Sequence, residues 1–128
     1  MAAVIHLDTH VVAWLYAGLV ERIPARGRKL IEAGVPIVSP MAVLELEYLY
    51  EIGRTKKPAR VVFSYLQRHI GLETSQAPFP EIIETASSMK WTRDPFDRII
   101  AATAKVEGAR LLTADEQMLR HFPAAFWK

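Results

Sequence analysis

Short apolar runs alternate with longer stretches of helical periodicity along the chain. Clear runs lie at residues 4–7, 35–38 and 109–112, and weaker ones lie at 72–75 and 126–127. The clear runs are short and mostly apolar, which is typical of strands that are buried on both faces of a parallel sheet. The pattern therefore predicts an α/β fold: a three-layer α/β/α sandwich with a short-stranded, mainly parallel central sheet.

Prolines, capping side chains and glycines mark the ends of the predicted helices. Ser39 and Pro40 open one helix as its cap and first residue. Glycines follow the ends of three helices, at Gly34, Gly53 and Gly108. The predicted helices span residues 10–16, 24–33, 40–52, 59–69, 80–89 and 95–107, and residues 113–116 open a short final one.

The composition is that of an ordinary globular protein. The chain has 128 residues, 51% of them hydrophobic and 23% charged, which predicts a single domain over residues 1–128. It has no cysteine, no basic leader at Met1–Ile5, and no apolar run near the roughly 18 residues that span a bilayer. We therefore expect a cytoplasmic protein with no membrane partner. The net charge of +2 is too small to identify a nucleic-acid binder.

Two aspartates follow strands of the predicted sheet. Asp8 comes directly after the first strand, and Asp115 comes shortly after the run at 109–112. Ligands of such sheets bind beyond the carboxyl ends of the strands, so both carboxylates are predicted at one rim. The structural alternatives are a turn or cap role for Asp8, and for Asp115 a first-turn acid in the capping box of Thr113 and Glu116.

Glu45 lies among apolar residues of the third predicted helix. At about 100° per residue it falls inside an apolar stripe, whereas Glu47 and Glu51 fall to its flank. The stripe consists of Met41, Leu44, Tyr48, Leu49 and Ile52. A carboxylate on a buried face is costly unless it is paired or bound to a metal. The placement therefore favours a site, and an internal salt bridge is the alternative.

Asp94 and Asp97 lie at the start of the helix at 95–107. Asp94 precedes Pro95, so the aspartate is predicted to cap the helix and the proline to take its first position. Asp97 falls in the first turn, three residues after the cap. A well-capped core helix would explain both acids through the helix macrodipole. The similar placement of Asp8, Glu45 and Asp115 favours a functional site instead.

Together, four of these acids form a predicted cluster at one rim: Asp8, Glu45, Asp97 and Asp115. Clustered carboxylates repel one another unless a cation neutralises them. All-oxygen ligands suit Mg²⁺ or Mn²⁺, and the four histidines show no paired spacing for zinc. Divalent ions held by carboxylates activate water and stabilise charge on a phosphate. The sequence therefore predicts hydrolysis of phosphodiester bonds.

Several motifs occur in a fixed order from residue 4 to about residue 121. They are Leu7–His10 with Trp14–Leu15, Glu45, Arg93–Arg98 and Leu111–Asp115. In this order and spacing the chain resembles the PIN domain, specifically the VapC-type ribonuclease toxins of toxin–antitoxin pairs. The resemblance implies an endoribonuclease dependent on Mg²⁺ or Mn²⁺ that acts on structured RNA. It also implies a small antitoxin partner that blocks the site, and a homodimer.

The resemblance also implies roles for individual residues. The catalytic and metal-binding residues would be Asp8, Glu45, Asp97 and Asp115. Thr9 and Thr113 would be supporting hydroxyl groups. Asp94 would support the site as well, although its capping role explains it without a metal.

Arg93, Arg98 and His10 are the candidate RNA contacts. The two arginines flank the site acids and could hold phosphates, or they could neutralise the acids structurally. His10 could lie near the scissile phosphate, and its alternative role is that of a surface residue beside the helix cap.

Other classes of function fit the sequence less well. A phosphatase with an aspartyl nucleophile needs a second acid two residues after Asp8, where His10 stands. A dinucleotide-binding enzyme needs a glycine-rich turn after the first strand. A housekeeping RNA-processing PIN nuclease and a non-catalytic PIN-fold binding module are the alternatives. An activity assay, and a small antitoxin reading frame upstream, distinguish them from the toxin.

Overall fold

The computed structural model describes residues 3–128. Met1 and Ala2, which belong to the start predicted to lack a basic leader, lie outside the described residues. The strands are β1 (Val4–Leu7), β2 (Val35–Val38), β3 (Glu73–Thr74), β4 (Arg110–Leu112) and β5 (Ala125–Phe126). They form one sheet in the order β3-β2-β1-β4-β5, and each neighbouring pair is parallel. The predicted parallel sheet is confirmed, including its two weakly patterned edge strands.

Helices fill the connections between these strands. They are α1 (Thr9–Ala17), α2 (Ala25–Ala33), α3 (Pro40–Glu51), α4 (Ala59–Ile70), α5 (Phe79–Ser87), α6 (Pro95–Val106) and α7 (Glu116–His121). The ends of α1 to α6 were predicted to within two residues, and α7 was predicted as a short helix that opens at residues 113–116. A short 3₁₀ helix at Val20–Arg22, between α1 and α2, was not predicted. None of these helices combines the length and hydropathy that crossing a bilayer requires.

Helices cover both faces of the sheet. On one face Leu112 packs against α2 at Gly27, where an added Cβ would lie 3.0 Å from both Leu112 methyl carbons. His6 lies in register with Leu111, and successive positions of a strand face opposite sides. Its side chain accordingly reaches the end of α6 on the other face. The predicted three-layer α/β/α sandwich is therefore confirmed.

The core is centred on β1 and β4. Leu7, Leu111 and Leu112 are fully buried there. On α6, the buried Ala101 and Ala102 present little side-chain volume, which allows neighbouring elements to approach the helix closely. Through this packing α6 contacts β4 and the helices α3 and α5.

The buried face of α3 differs from the predicted one. Ala42 and Leu46 are buried, at 0% and 3% exposure. Three residues of the predicted stripe are instead exposed, at 55%, 46% and 51%: Leu44, Tyr48 and Ile52. The prediction was wrong because it followed the large apolar side chains, whereas this helix packs through a row that includes the small Ala42.

Candidate active site

Two of the predicted acids lie at the carboxyl ends of β1 and β4. These strands are neighbours at the centre of the sheet, where the strand order reverses. Such a reversal opens the crevice in which parallel α/β sheets bind ligands. Asp8 follows β1 and caps α1, and Asp115 follows β4 and caps α7. The topology thus directs both residues to one crevice.

Both carboxylate oxygens of Asp8 are held by neighbouring groups. Asp8 is 4% exposed, and its Oδ1 accepts a hydrogen bond from the backbone N–H of Thr9 at 2.8 Å. Its Oδ2 accepts from the buried Thr113 hydroxyl at 2.6 Å. The same hydroxyl oxygen accepts from the backbone N–H of Asp115 at 3.0 Å. Thr113 therefore connects the loop after β1 with the loop after β4.

Glu45 reaches the same crevice from α3. It is half-buried beside the Ala42–Leu46 row, and its Oε1 accepts from the Thr9 hydroxyl at 2.5 Å. Burial raises the pKa of Glu45, and the negative charges of Asp8, Asp94 and Asp115 raise it further, against the opposing effect of the Thr9 hydrogen bond. Glu45 thus faces other carboxylates, and in the part of the chain that the structure describes it forms no salt bridge, which was the structural alternative.

Asp97 and Asp94 complete the acidic crevice from α6. Asp94 caps the helix by accepting from the backbone N–H groups of Phe96 at 2.8 Å and Asp97 at 3.4 Å. The Asp97 side chain is half-buried. Burial, followed by the charges of Asp94, Asp8, Asp115 and Glu45, raises the pKa of Asp97 to about 7. The crevice therefore favours the neutral form of this carboxyl more than water does.

The role of Asp115 at its helix differs from the predicted capping box. Asp115 is itself the N-cap of α7, and its Oδ1 accepts from the backbone N–H of Met118 at 2.9 Å. Thr113 lies outside the helix and is directed to Asp8. The Thr113–Glu116 spacing suggested a cap two residues too early because Asp8, the true partner of Thr113, is distant in sequence.

The donor set of the crevice suits a hard cation. Within residues 3–128, no lysine or arginine forms an ion pair with any of these five acids. No three histidine, aspartate or glutamate side chains among the described residues converge closely enough to enclose a metal by themselves. Mg²⁺ needs no such cage, because it usually keeps several waters and binds through one or two carboxylates. The residues present therefore fit Mg²⁺ or Mn²⁺ with a partly hydrated shell.

The candidate RNA contacts lie in three different environments. Arg98 donates from Nη2 and Nε to the backbone carbonyl of Ala86, at 2.8 and 3.3 Å, so it joins α6 to the end of α5. This contact matches neither its predicted phosphate role nor its alternative of neutralising acids. Arg93 is exposed and directly precedes Asp94, the cap of α6. His10 is half-buried and binds the loop of Asp115 through Ala114.

A second polar cluster lies one helix length away, at the other end of α6. Glu107 ends that helix, and its Oε1 accepts from the Ser75 hydroxyl and lies 2.9 Å from Nε2 of His6. His6 is 1% exposed, and burial lowers its pKa against the opposing effect of Glu107. Sequence analysis did not find this cluster, because its members are separated by 32 and 101 residues.

The fold and the crevice define an α/β protein with a carboxylate-lined centre of the type that hydrolyses phosphodiesters. The sequence model of the PIN domain family matches residues 5–123 of this chain. The chain is also 31% identical over 117 residues to Ribonuclease VapC22 of Mycobacterium tuberculosis, across 90% of this chain and 89% of that protein. The chain therefore belongs to the PIN domain family.

Solved structures agree on the fold. The crystal structure of VapBC2 from Rickettsia felis, bound to a DNA fragment from their promoter, matches with a TM-score of 0.67 at 15% identity, over 98% of this chain and 97% of that one. VapBC-1 from nontypeable Haemophilus influenzae matches with a TM-score of 0.67 at 16% identity, over 98% of this chain and 96% of that one. At this identity the similarity establishes the fold alone.

Proposed function

We propose that this chain is an endoribonuclease that hydrolyses RNA phosphodiester bonds with Mg²⁺ or Mn²⁺, as the toxin of a cytoplasmic toxin–antitoxin pair. One observation carries the proposal: Asp97 and Glu45 face further carboxylates across the crevice and, within residues 3–128, form no ion pair with a cationic side chain. Such an arrangement is stable at neutral pH when a cation occupies it. Family membership and the similarity to a VapC ribonuclease support RNA as the substrate.

One or two of the carboxylates of Asp8, Glu45, Asp97 and Asp115 would hold the ion directly and the others through its waters, supported by Thr9, Thr113 and Asp94. When bound, the ion supplies a more acidic water and neutralises charge on the phosphate. The chain itself contributes orientation. The Thr113 hydroxyl and the Thr9 N–H fix the Asp8 carboxylate, and the Thr9 hydroxyl fixes Glu45. Two adjacent groups of Thr9 therefore set the separation of two proposed ligands.

The test is RNA cleavage by Asp97→Asn. An amide oxygen binds a divalent ion far more weakly than a carboxylate, so we expect at least about a 100-fold loss. Glu81→Gln is the matched control, because Glu81 is an exposed acid in the first turn of α5. Total RNA is incubated with Mg²⁺, with Mn²⁺ or with chelator, and the cut ends are mapped. Cleavage by Asp97→Asn in chelator at the wild-type rate contradicts the proposal.

For the partner, we propose a cognate small antitoxin that binds a groove next to the crevice. The groove encloses about 510 Å³ between α1, α3, α4 and the turn before α4. Its floor is apolar and its rim is cationic; the rim consists of Arg22, Arg54, Lys56 and Lys57. Trp14 lines the groove and packs on His10 at 5.0 Å, so the groove leads to the crevice. This charge distribution fits an amphipathic segment with acidic side chains.

The antitoxin proposal is tested by charge reversal on the groove rim. The double variant Lys56→Glu, Lys57→Glu should lose the complex on co-expression with the upstream small protein, while its own RNA cleavage stays near wild type. The exposed pair Arg28→Glu, Lys29→Glu on α2 is the control. Undiminished complex formation by the rim variant would assign the groove to another ligand. A complex that cleaves RNA as fast as the free protein would contradict inhibition at the site.

We further propose that the chain forms a homodimer through the exposed stripe of α3. Leu44 and Tyr48 on this helix and Ile52 at its C-cap follow helical spacing and are about half exposed, and Phe79 of α5 is 61% exposed. A self-complementary stripe of this kind suits a two-fold interface between copies. Light scattering of wild type and Leu44→Asp should give a dimer and a monomer. A wild-type monomer at high concentration would contradict it.

A further inference from the structure

The protonation of His10 can be read from its hydrogen bonds. Its Nε2 lies 2.9 Å from the backbone nitrogen of Ala114. A backbone N–H only donates, so Nε2 must accept with its lone pair, and the ring is neutral with its hydrogen on Nδ1. That Nδ1 lies 3.5 Å from Oδ2 of Asp8. His10 thus directs a donor to one site acid while it holds the loop that leads to another.

Two tryptophans fix the plane of this imidazole. The rings of Trp14 and Trp127 lie edge-on to it, with centroids 5.0 and 6.1 Å away, and 5.8 Å from each other. Edge-to-face packing of this type favours one ring orientation. The side chain of His10 keeps 31% exposure, so its order comes from these contacts together with its hydrogen bond.

His10 completes a closed connection between two acid-bearing loops. Thr113 makes the first bridge, since its hydroxyl donates to Asp8 and accepts from the N–H of Asp115. His10 makes the second bridge, from the start of α1 to Ala114, the residue between Thr113 and Asp115. The loop after β4 is therefore bound to the segment after β1 at two consecutive residues, Thr113 and Ala114, and Asp115 is tied to this pair through Thr113. The spacing of Asp8 and Asp115 depends on both bridges.

We propose that His10 is a positioning residue, which as the neutral Nδ1–H tautomer holds the Asp115 loop against Asp8 and sets the spacing of these two acids. This role rests on the proposed function, and it replaces the predicted contact with RNA. The Ala114 N–H occupies Nε2, and Nδ1 lies 3.5 Å from Oδ2 of Asp8, so the polar contacts of the ring are to the protein. The loss of such a supporting group typically lowers activity 10- to 100-fold.

Two substitutions separate the two contacts. In His10→Gln the side-chain carbonyl can still accept from Ala114 N–H, whereas in His10→Asn the shorter amide can only replace the Nδ1 donor. Because the Ala114 bond is the shorter contact, we expect His10→Gln to keep more activity than His10→Asn. His10→Ala should lose about 10- to 100-fold in kcat with little change in KM for RNA. His121→Ala, an exposed histidine stacked on Trp91, is the control.

A raised KM with kcat unchanged in His10→Ala would identify an RNA contact and overturn the proposal. A second measurement does not depend on any variant folding. The nitrogen NMR signals of wild-type His10, recorded in chelator at about pH 8, where an ordinary histidine is neutral, should show the hydrogen on Nδ1. A hydrogen on Nε2 would overturn the proposed role even if RNA cleavage is confirmed. The Nδ1 tautomer in a protein that cleaves no RNA would contradict the proposed function and leave the loop connection intact.

Discussion

The two ends of α6 carry acids in opposite circumstances. At its start, Asp97 faces four other acids, and its pKa is raised to about 7. At its end, Glu107 is bound by His6 and Ser75. The helix macrodipole would predict the reverse, because it favours acids at the start and disfavours them at the end. In this helix, burial and neighbouring side chains therefore affect the acids at its ends more strongly than the helix dipole does.

The comparison separates a structural acid from a candidate ligand. Glu107 finds its partners within the fold, so the protein needs nothing external to accommodate its charge. The charges that act on Asp97 from the described residues are all negative, so a bound cation would stabilise its carboxylate form. Repulsion among such carboxylates lowers the stability of the folded state, and a cost in stability of this kind is common at active sites. Whether a buried acid has a partner within the fold therefore distinguishes a structural acid from a candidate ligand.

The largest expected effect concerns two glutamates on α3. Glu45→Gln should lower RNA cleavage at least about 100-fold, because a proposed metal ligand becomes a neutral amide. Glu47→Gln should retain activity, since Glu47 accepts from the backbone N–H of Ala59 at 3.0 Å and an amide oxygen can do the same. Initial rates with a short RNA measure both. Equal losses would place Glu45 outside the site.

The next effect is on stability at the end of α6. Glu107→Ala leaves buried His6 without its partner and should lower the free energy of unfolding by about 1–3 kcal/mol. Glu107→Gln should lose less, because its carbonyl oxygen can still accept from Ser75. Urea denaturation of both variants measures the difference. An unchanged stability in Glu107→Ala would show that the cluster at this end is no stronger than exposed polar surface.

A smaller effect of opposite sign is expected at the start of α6. The pKa of Asp97 is raised in the folded state from 3.8 to about 7, so the folded protein binds more protons in this range and loses stability as the pH rises through it. Asp97→Asn in chelator at pH above 7 should therefore gain about 1–2 kcal/mol, a modest value because solvent screens the half-buried carboxyl. Thermal melts with and without Mg²⁺ test this gain. Mg²⁺ should stabilise the wild type more than the variant.

The smallest effect is the pH response of His6. Its pKa is lowered below 6.5 in the folded state, so below that pH the unfolded chain binds a proton that the folded protein does not. Stability should fall as the pH drops through this range, by at most about 1.4 kcal/mol per pH unit. His6→Gln should reduce this loss of stability at falling pH. Asp97→Asn should instead reduce the loss of stability that the wild type shows as the pH rises toward and above 7. A wild-type slope retained in His6→Gln would assign the acid response to other groups.

Local sequence determined the elements and the rim to which they lead. Each strand and α-helix, though not the 3₁₀ helix at Val20–Arg22, was readable from its own residues, because hydrophobic period, proline and capping are properties of adjacent positions. The prediction of Asp94 as a cap is confirmed by its bonds to Phe96 and Asp97. Asp8 and Asp115 were predicted at one rim because parallel strands end on the same side of a sheet. That inference needed only the order of the elements.

Tertiary structure alone decided what each polar side chain contacts. Thr9 meets Glu45 across 36 residues, Thr113 meets Asp8 across 105, and His10 meets Ala114 across 104. No local pattern encodes such pairs, so Thr113 resembled a helix cap. The predicted buried face of α3 was wrong for the same reason. Which row of a helix is buried depends on the elements that pack against it, and the small side chain of Ala42 allows its row to be the buried one. Periodicity determines whether a segment forms a helix or a strand, whereas the elements packed against that segment determine what its side chains contact.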